Sequence, residues 1–200
     1  MDLPTMRTKV RRDLRDTDPA DYRWSDDEID RHVNHTLLDI SQAVPQEKIS
    51  EGLVIPTPAS KDIDISSLNG LILVDGVEYP TLEDPKRWRS FRVWAGTLTL
   101  LIDETVTADE PLNVYYSAAH TIAADACTLP PHMEDLCSMG TSAYAAYEWA
   151  AYAVNVINVG GERTAADYLK WAQDRLEVYQ KELKRYGRQS RLKIGKLYAD

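Results

Sequence analysis

Two histidines, His32 and His35, lie three residues apart in the run YRWSDDEIDRHVNHTLLDISQAV (residues 22–44), with Glu28 four residues before the first and Asp39 four after the second. On a helix these four side chains can share a face, which is what a divalent metal needs. Zinc-binding helices, however, space their histidines by four with a glutamate beside the first, and this run has neither feature. His32 falls beside the apolar stripe of the segment and His35 points away from it, so surface or interface roles suit both better. A second candidate is a thiol nucleophile with a base, Cys127 or Cys137 with His132. The cysteines flank a Pro-Pro helix start and no third group orients the histidine, so a triad is not assembled. The aromatics Trp88, Phe91, Trp94, Tyr115 and Tyr116 could stack bases or sugars, but aromatics on alternating strands more often fill cores and subunit interfaces. The chain has no Walker loop, dinucleotide fingerprint, Gly-x-Ser-x-Gly elbow or kinase signature. No catalytic residue, no metal and no cofactor are expected.

The elements that would carry these residues can be read from periodicity. Leu3, Met6, Val10 and Leu14 predict a short amphipathic helix that stops before Pro19. Ser25 and Glu28 form a capping box for the next helix, with Trp24 and Ile29 placed as a hydrophobic staple around it. Asp26, Asp27 and Glu28 then sit where negative charge meets the positive end of the helix dipole. Ile29, Val33, Leu37, Ile40 and Val44 continue the stripe to Pro45. From about Glu51 to His120 the period becomes alternating. DIDI, FRVW, TLTLLI and LNVYY read as strands, and Asp75-Gly76 in LILVDGVEYP reads as the type I′ turn of a hairpin. Helical period returns with Met133, Leu136, Gly140, Ala143, Tyr147, Ala150, Val154 and Ile157, a face of small residues that admits a close neighbour. NVGGERT is the break, with Thr164 as cap. Leu169, Ala172, Leu176, Tyr179, Leu183 and Tyr186 mark a last helix ending at Gly187 and packing antiparallel to its predecessor. Beyond it, RQSRLKIGKLYAD is a basic segment with apolar residues interleaved.

The 200 residues are 44% hydrophobic and 28% charged, a globular composition able to bury a sizeable core. No apolar run is long enough for a membrane span, and the start MDLPTMRTKVRRDLRD has no signal-peptide pattern, so synthesis in the cytoplasm is expected. The two cysteines make no disulfide framework. A net charge of −9 argues against a general nucleic-acid binder. The expected fold class is α+β: an α-helical bundle of four main helices (residues 1–48 and 128–187), an inserted antiparallel β module (49–122) and an extended C-terminal arm (188–200).

Three stretches, LRDTDPADYRWSDDEIDRHVNHTLLDISQAVP, LPPHMEDLCSMGTSAYAAYEWA and DYLKWAQDRLEVYQKEL, together with their order around a β-rich middle, resemble the head-to-tail adaptor (connector) proteins of tailed bacteriophages. The segment Asp21 to Ile29 is the most specific. The resemblance implies a non-enzymatic, structural virion protein of the neck, made in the host cytoplasm. It implies a homo-oligomeric ring, usually of twelve copies, a dodecamer that binds the portal protein, presents a surface to a tail or neck protein and extends the channel through which DNA passes. By the same resemblance the C-terminal segment docks on the portal, the portal-binding residues being Arg188, Arg191, Leu192, Lys193, Ile194, Lys196, Leu197 and Tyr198. A tail completion or terminator protein, and a carbohydrate- or peptide-binding module, are the alternatives. No membrane partner is expected.

Overall fold

The computed structural model describes residues 1–56, 58–81, 83–153 and 165–190, and for Glu51, Gly52, Gln189 and Ser190 the backbone alone. The chain divides into two compact units, one of residues 1–44 with the chain from His120 onward, the other Pro45–Ala119.

In the first unit, α1 (Leu3–Leu14) is capped by Asp2, whose carboxylate accepts the Thr5 N–H at 2.8 Å. Its stripe of Met6, Val10 and Leu14 is buried. The helix closes at Arg15 in left-handed conformation, φ 58°. α2 (Asp26–Ala43) begins at Ser25 and buries Ile29, Val33, Leu37 and Ile40. A 3-10 turn over Pro131–Met133 leads into α3 (Glu134–Ala153), and α4 (Ala165–Ser190) follows. The other three helices all pack on α3, where a run of small buried residues, Gly140, Ala143, Ala145, Ala146 and Ala150, lets them approach, while Leu136, Tyr144 and Trp149 supply the larger contacts. At Gly140 a methyl group would fall 2.7 Å from Thr36 Cγ2 and 2.8 Å from the Tyr179 ring. That spacing sets how closely α2 and α4 approach.

The loop between α1 and α2 is held by charge. Arg11, 5% exposed, reaches Asp16 at 2.6 Å, Asp26 at 2.8 Å and the Trp24 carbonyl at 2.9 Å, with its guanidinium 3.5 Å above the Tyr22 ring. Asp16 also accepts the Arg23 N–H at 2.8 Å. Each buried charge thus has several partners, the condition under which burial is tolerated.

The second unit contains seven strands among its described residues: β1 (Gln46–Val54), β2 (Asp62–Asp64), β3 (Leu71–Glu78), β4 (Trp88–Arg89), β5 (Phe91–Trp94), β6 (Thr97–Leu100) and β7 (Pro111–Ala118). They form two antiparallel sheets, in the orders β1-β7-β3-β4 and β2-β6-β5. Alternate residues point inward to a core that includes Ile63, Val74, Val77, Leu98, Leu100, Leu112, Val114 and Tyr116.

Several expectations are corrected. The chain is α+β, but it is not a four-helix bundle carrying an inserted module. The β part is a two-sheet unit with its own core, in which the first and last strands, β1 and β7, are hydrogen-bonded neighbours. Alternation reveals that strands exist and says nothing of such pairing. Asp75-Gly76 is not a hairpin turn: β3 runs straight through it, with a register irregularity between Val74 and Gly76. Gly76 is small because the Trp88 ring lies on it, where an added Cβ would meet that ring at 2.9 Å. The two-residue turn is Ala95-Gly96, between β5 and β6, with φ of 46° and 78°. Gly187 does not end the last helix. It lies against Ala43, whose carbonyl would be 3.3 Å from an added Cβ, and α4 continues to Ser190. Arg188 is therefore helical, not the start of an extended arm. Tyr147, expected on the packed face of α3, is 45% exposed. Val154, Ile157, Thr164 and the arm from Arg191 lie outside the described residues.

Candidate functional site

At the start of α2 the Ser25 hydroxyl accepts the Glu28 N–H at 3.3 Å and the Glu28 carboxylate accepts the Ser25 N–H at 2.7 Å. The Ser25 N–H and the Ser25 hydroxyl, which donates to the same carboxylate at 2.8 Å, hold the Glu28 carboxyl below its ordinary range. Trp24 and Ile29 are buried in one apolar cluster, and the Trp24 indole N–H donates to the Ala145 carbonyl at 3.2 Å.

The four residues of the possible metal face are spent separately. Glu28 belongs to the cap. His32 is 6% exposed, with Nε2 3.0 Å from the Glu148 carboxylate. Burial is the largest influence on His32 and lowers its pKa against the attraction of Glu148, with Arg31 and His35 also lowering it. His35 stacks on Tyr144, ring centroids 4.3 Å apart. Asp39 accepts from the hydroxyls of Tyr144 at 2.7 Å and Tyr179 at 3.4 Å. Burial and the Asp39 charge push both phenols upward. Among the described residues no group of three or more His, Cys, Asp and Glu side chains is placed to hold a metal ion.

The thiol candidates contact groups other than His132: the Cys127 Sγ accepts the Leu129 N–H at 3.4 Å. Cys137 is fully buried, and that burial pushes its pKa up to about 12. Cys127 pairs its backbone with Ile122 in an isolated bridge. The His132 ring instead tilts against Tyr186, 5.9 Å between centroids.

The strand aromatics do not form one platform. Tyr116 faces the core and Phe91 packs against it. Trp88 and Tyr115 meet edge to face at 4.8 Å on the other side of the four-stranded sheet. Beside them Glu78, 2% exposed, accepts from the Tyr115 hydroxyl at 2.7 Å and from Asn113 at 3.3 Å, with Lys86 at 3.3 Å. Burial pushes the Glu78 carboxyl upward, but those hydrogen bonds outweigh it and the group titrates low. Trp94 stands apart at the β5–β6 turn, 80% exposed.

Of the residues assigned to portal binding, only Arg188 is described. It lines a cleft of about 360 Å³ with Asp39, Gln42, Leu183 and Lys184. A larger cleft of about 550 Å³ lies between the end of α1 and α4, where Arg175 pairs with Asp13 and stacks near Trp171. Neither gathers a nucleophile with a base.

What the described surface does hold is exposed apolar side chains: Leu38, Tyr147, Tyr152 and Val178 on the helical unit; Ile49, Leu73, Val93, Trp94 and Leu101 on the β unit. Sequence reading missed these as a group, because an apolar residue on a strand or helix carries no mark of which side it faces.

No described helix is long and apolar enough to cross a membrane. No protein-family model matches the chain, and no curated protein matches it significantly in sequence.

Proposed function

We propose that this protein is a structural assembly subunit that joins copies of itself into a ring, and that its place is the neck of a tailed-bacteriophage virion, as head-to-tail adaptor between portal and tail. One observation carries the assembly part. Large apolar side chains stand in solvent on both units, Trp94 and Tyr152 at 80% and 69% exposure, whereas the histidines, the buried thiol and the buried acids are engaged in internal contacts. Surfaces of that kind suit protein partners. The virion part rests on the sequence resemblance through Asp21 to Ile29. The net charge of −9 suits a channel past which DNA slides, since like charge repels phosphate. No cofactor is part of the mechanism, which is geometric: many modest interfaces close one ring.

Co-sedimentation of the full chain with portal rings tests the proposal. Binding that is lost when the chain is ended at Ser190 supports the role given to Arg191, Leu192, Lys193, Ile194, Lys196, Leu197 and Tyr198. A chain that neither self-associates nor binds a portal ring refutes it. The exposed Trp88 beside Tyr115 and Glu78 favours one second reading, a sugar-binding face. Saturable binding to a glycan array, abolished by Trp88→Ala, would select that reading instead.

A further inference from the structure

The three-stranded sheet ends in two strand edges of opposite character. On the β5 side, the Leu101 N–H donates to the Ser90 carbonyl at 2.8 Å. Antiparallel pairing alternates by two, so Arg92 and Trp94 turn their peptide groups toward β6. The N–H and C=O groups of Phe91 and Val93 therefore point away from the sheet. On the β2 side, the Leu100 N–H donates to Lys61 and the Ile65 N–H to Gly96, each at 2.9 Å. This directs Lys61, Ile63 and Ile65 toward β6 and leaves the peptide groups of Asp62 and Asp64 facing outward, the Asp62 N–H resting on the Ser60 hydroxyl at 3.1 Å. Neither β2 nor β5 has a second neighbouring strand among the described residues.

Side chains follow the same order. Asp62, Thr99 and Arg92 occupy one rung across the sheet; Ile63, Leu98 and Val93 the next; Asp64, Thr97 and Trp94 the third. The first rung carries a carboxylate at one edge and a guanidinium at the other, both exposed. Strand edges of monomers are blunted by bulges, prolines or lysines. β1 fits that pattern, with Lys48 and a register shift between Ser50 and Leu53. β5 pairs with β6 without a shift and leaves Val93 and Trp94 exposed.

We infer that β5 of one copy pairs with β2 of the next, so that the three-stranded sheets run on from subunit to subunit. The inference rests on the assembly reading above and names its interface. Both strands are antiparallel to β6, hence parallel to each other, and the new pairing is parallel. The Val93 N–H donates to the Asp62 carbonyl of the next copy, and the Val93 carbonyl accepts from its Asp64 N–H. This register sets Val93 beside Ile63, Trp94 beside Asp64, and Arg92 beside Asp62, a pairing of opposite charges. Because the two edges differ, the contact is head-to-tail and repeats around a ring.

The test uses the full chain and follows its mass against concentration by sedimentation. Val93→Pro removes one outward N–H without touching the ladder to β6, a position where edge strands accept proline. It should abolish assembly while circular dichroism stays that of the parent. Arg92→Asp and Asp62→Arg should each raise the concentration for half-assembly by about tenfold, and the two together should restore it. If the parent assembles and these variants assemble equally well, the interface is wrong and the assembly reading stands. If the parent stays monomeric alone and on portal rings, both fall.

Discussion

Replacing Gly140 with alanine should destabilise the helical unit, against the usual sign of such a change. In an exposed helix interior Gly→Ala gains about 1 kcal/mol in propensity. At position 140 the new methyl would lie 2.7, 2.8 and 2.9 Å from Thr36 Cγ2 and two Tyr179 ring atoms, all closer than real Cβ contacts allow. Thr36 and Tyr179 are both fully buried and cannot swing into solvent. Overpacking of that kind costs about 1–3 kcal/mol, so after the propensity gain is subtracted the net loss should reach about 2 kcal/mol when neither buried neighbour can give way. Urea unfolding followed at 222 nm should show a midpoint lower by up to roughly 1 M for a typical slope. Gly187 supplies the contrast. There the nearest atoms, on Ala43, would be 3.3–3.4 Å away, and Gly187→Ala should be close to neutral because propensity and crowding nearly cancel. Should Gly140→Ala raise the midpoint, the close packing of α2 and α4 on α3 would not be what the small residues of α3 are for.

Four further outcomes are expected. Ser25→Ala removes the acceptor for the Glu28 N–H and should cost about 1 kcal/mol in the same urea titration. Asp16→Asn leaves the buried Arg11 without its closest carboxylate and should cost about 3 kcal/mol, with a parental midpoint counting against a structural role for that pair. Ala95→Gly relieves a left-handed residue, φ 46°, and should stabilise the β unit by about 0.5–1 kcal/mol, seen as slower hydrogen exchange at Leu98 and Leu100. Burial lowers the pKa of both His32 and His120 from the ordinary 6.5. The unfolded chain then binds protons that the folded one refuses, so their contribution is complete above about pH 6.5 and is lost as pH falls through the lowered values. The urea midpoint of the helical unit should drop between pH 7 and 5, and His32→Gln with His120→Gln should flatten that slope.

The legible parts of this chain are those whose causes lie within a turn or two. Ser25 and Glu28 meet because a helix places N-cap and N3 within reach of each other, and Met6, Val10 and Leu14 share a face for the same reason. The crowd of acids after Trp24 is a helix start whatever packs on it. Asp75-Gly76 shows where this stops: the dipeptide permits a turn, but the Trp88 ring lies on Gly76 within a strand, and Trp88 stands beyond the turn or two that local spacing reaches. The turn formed instead at Ala95-Gly96, where alanine takes a conformation that local preference disfavours and strand pairing outweighs the cost.

By itself the sequence determined the caps, the apolar stripes, the change from helical to alternating period, and the absence of any familiar catalytic motif. Tertiary structure alone decided that β1 lies beside β7, that His32 faces Glu148 while Asp39 receives Tyr144, and that Arg92, Thr99 and Asp62 form one rung with its charges at opposite edges. The physical reason is range. Backbone hydrogen bonding and side-chain spacing act over three or four residues and repeat with the element's period. Strand neighbours and buried charge partners are chosen by the free energy of the whole packed unit, and no local window contains that information.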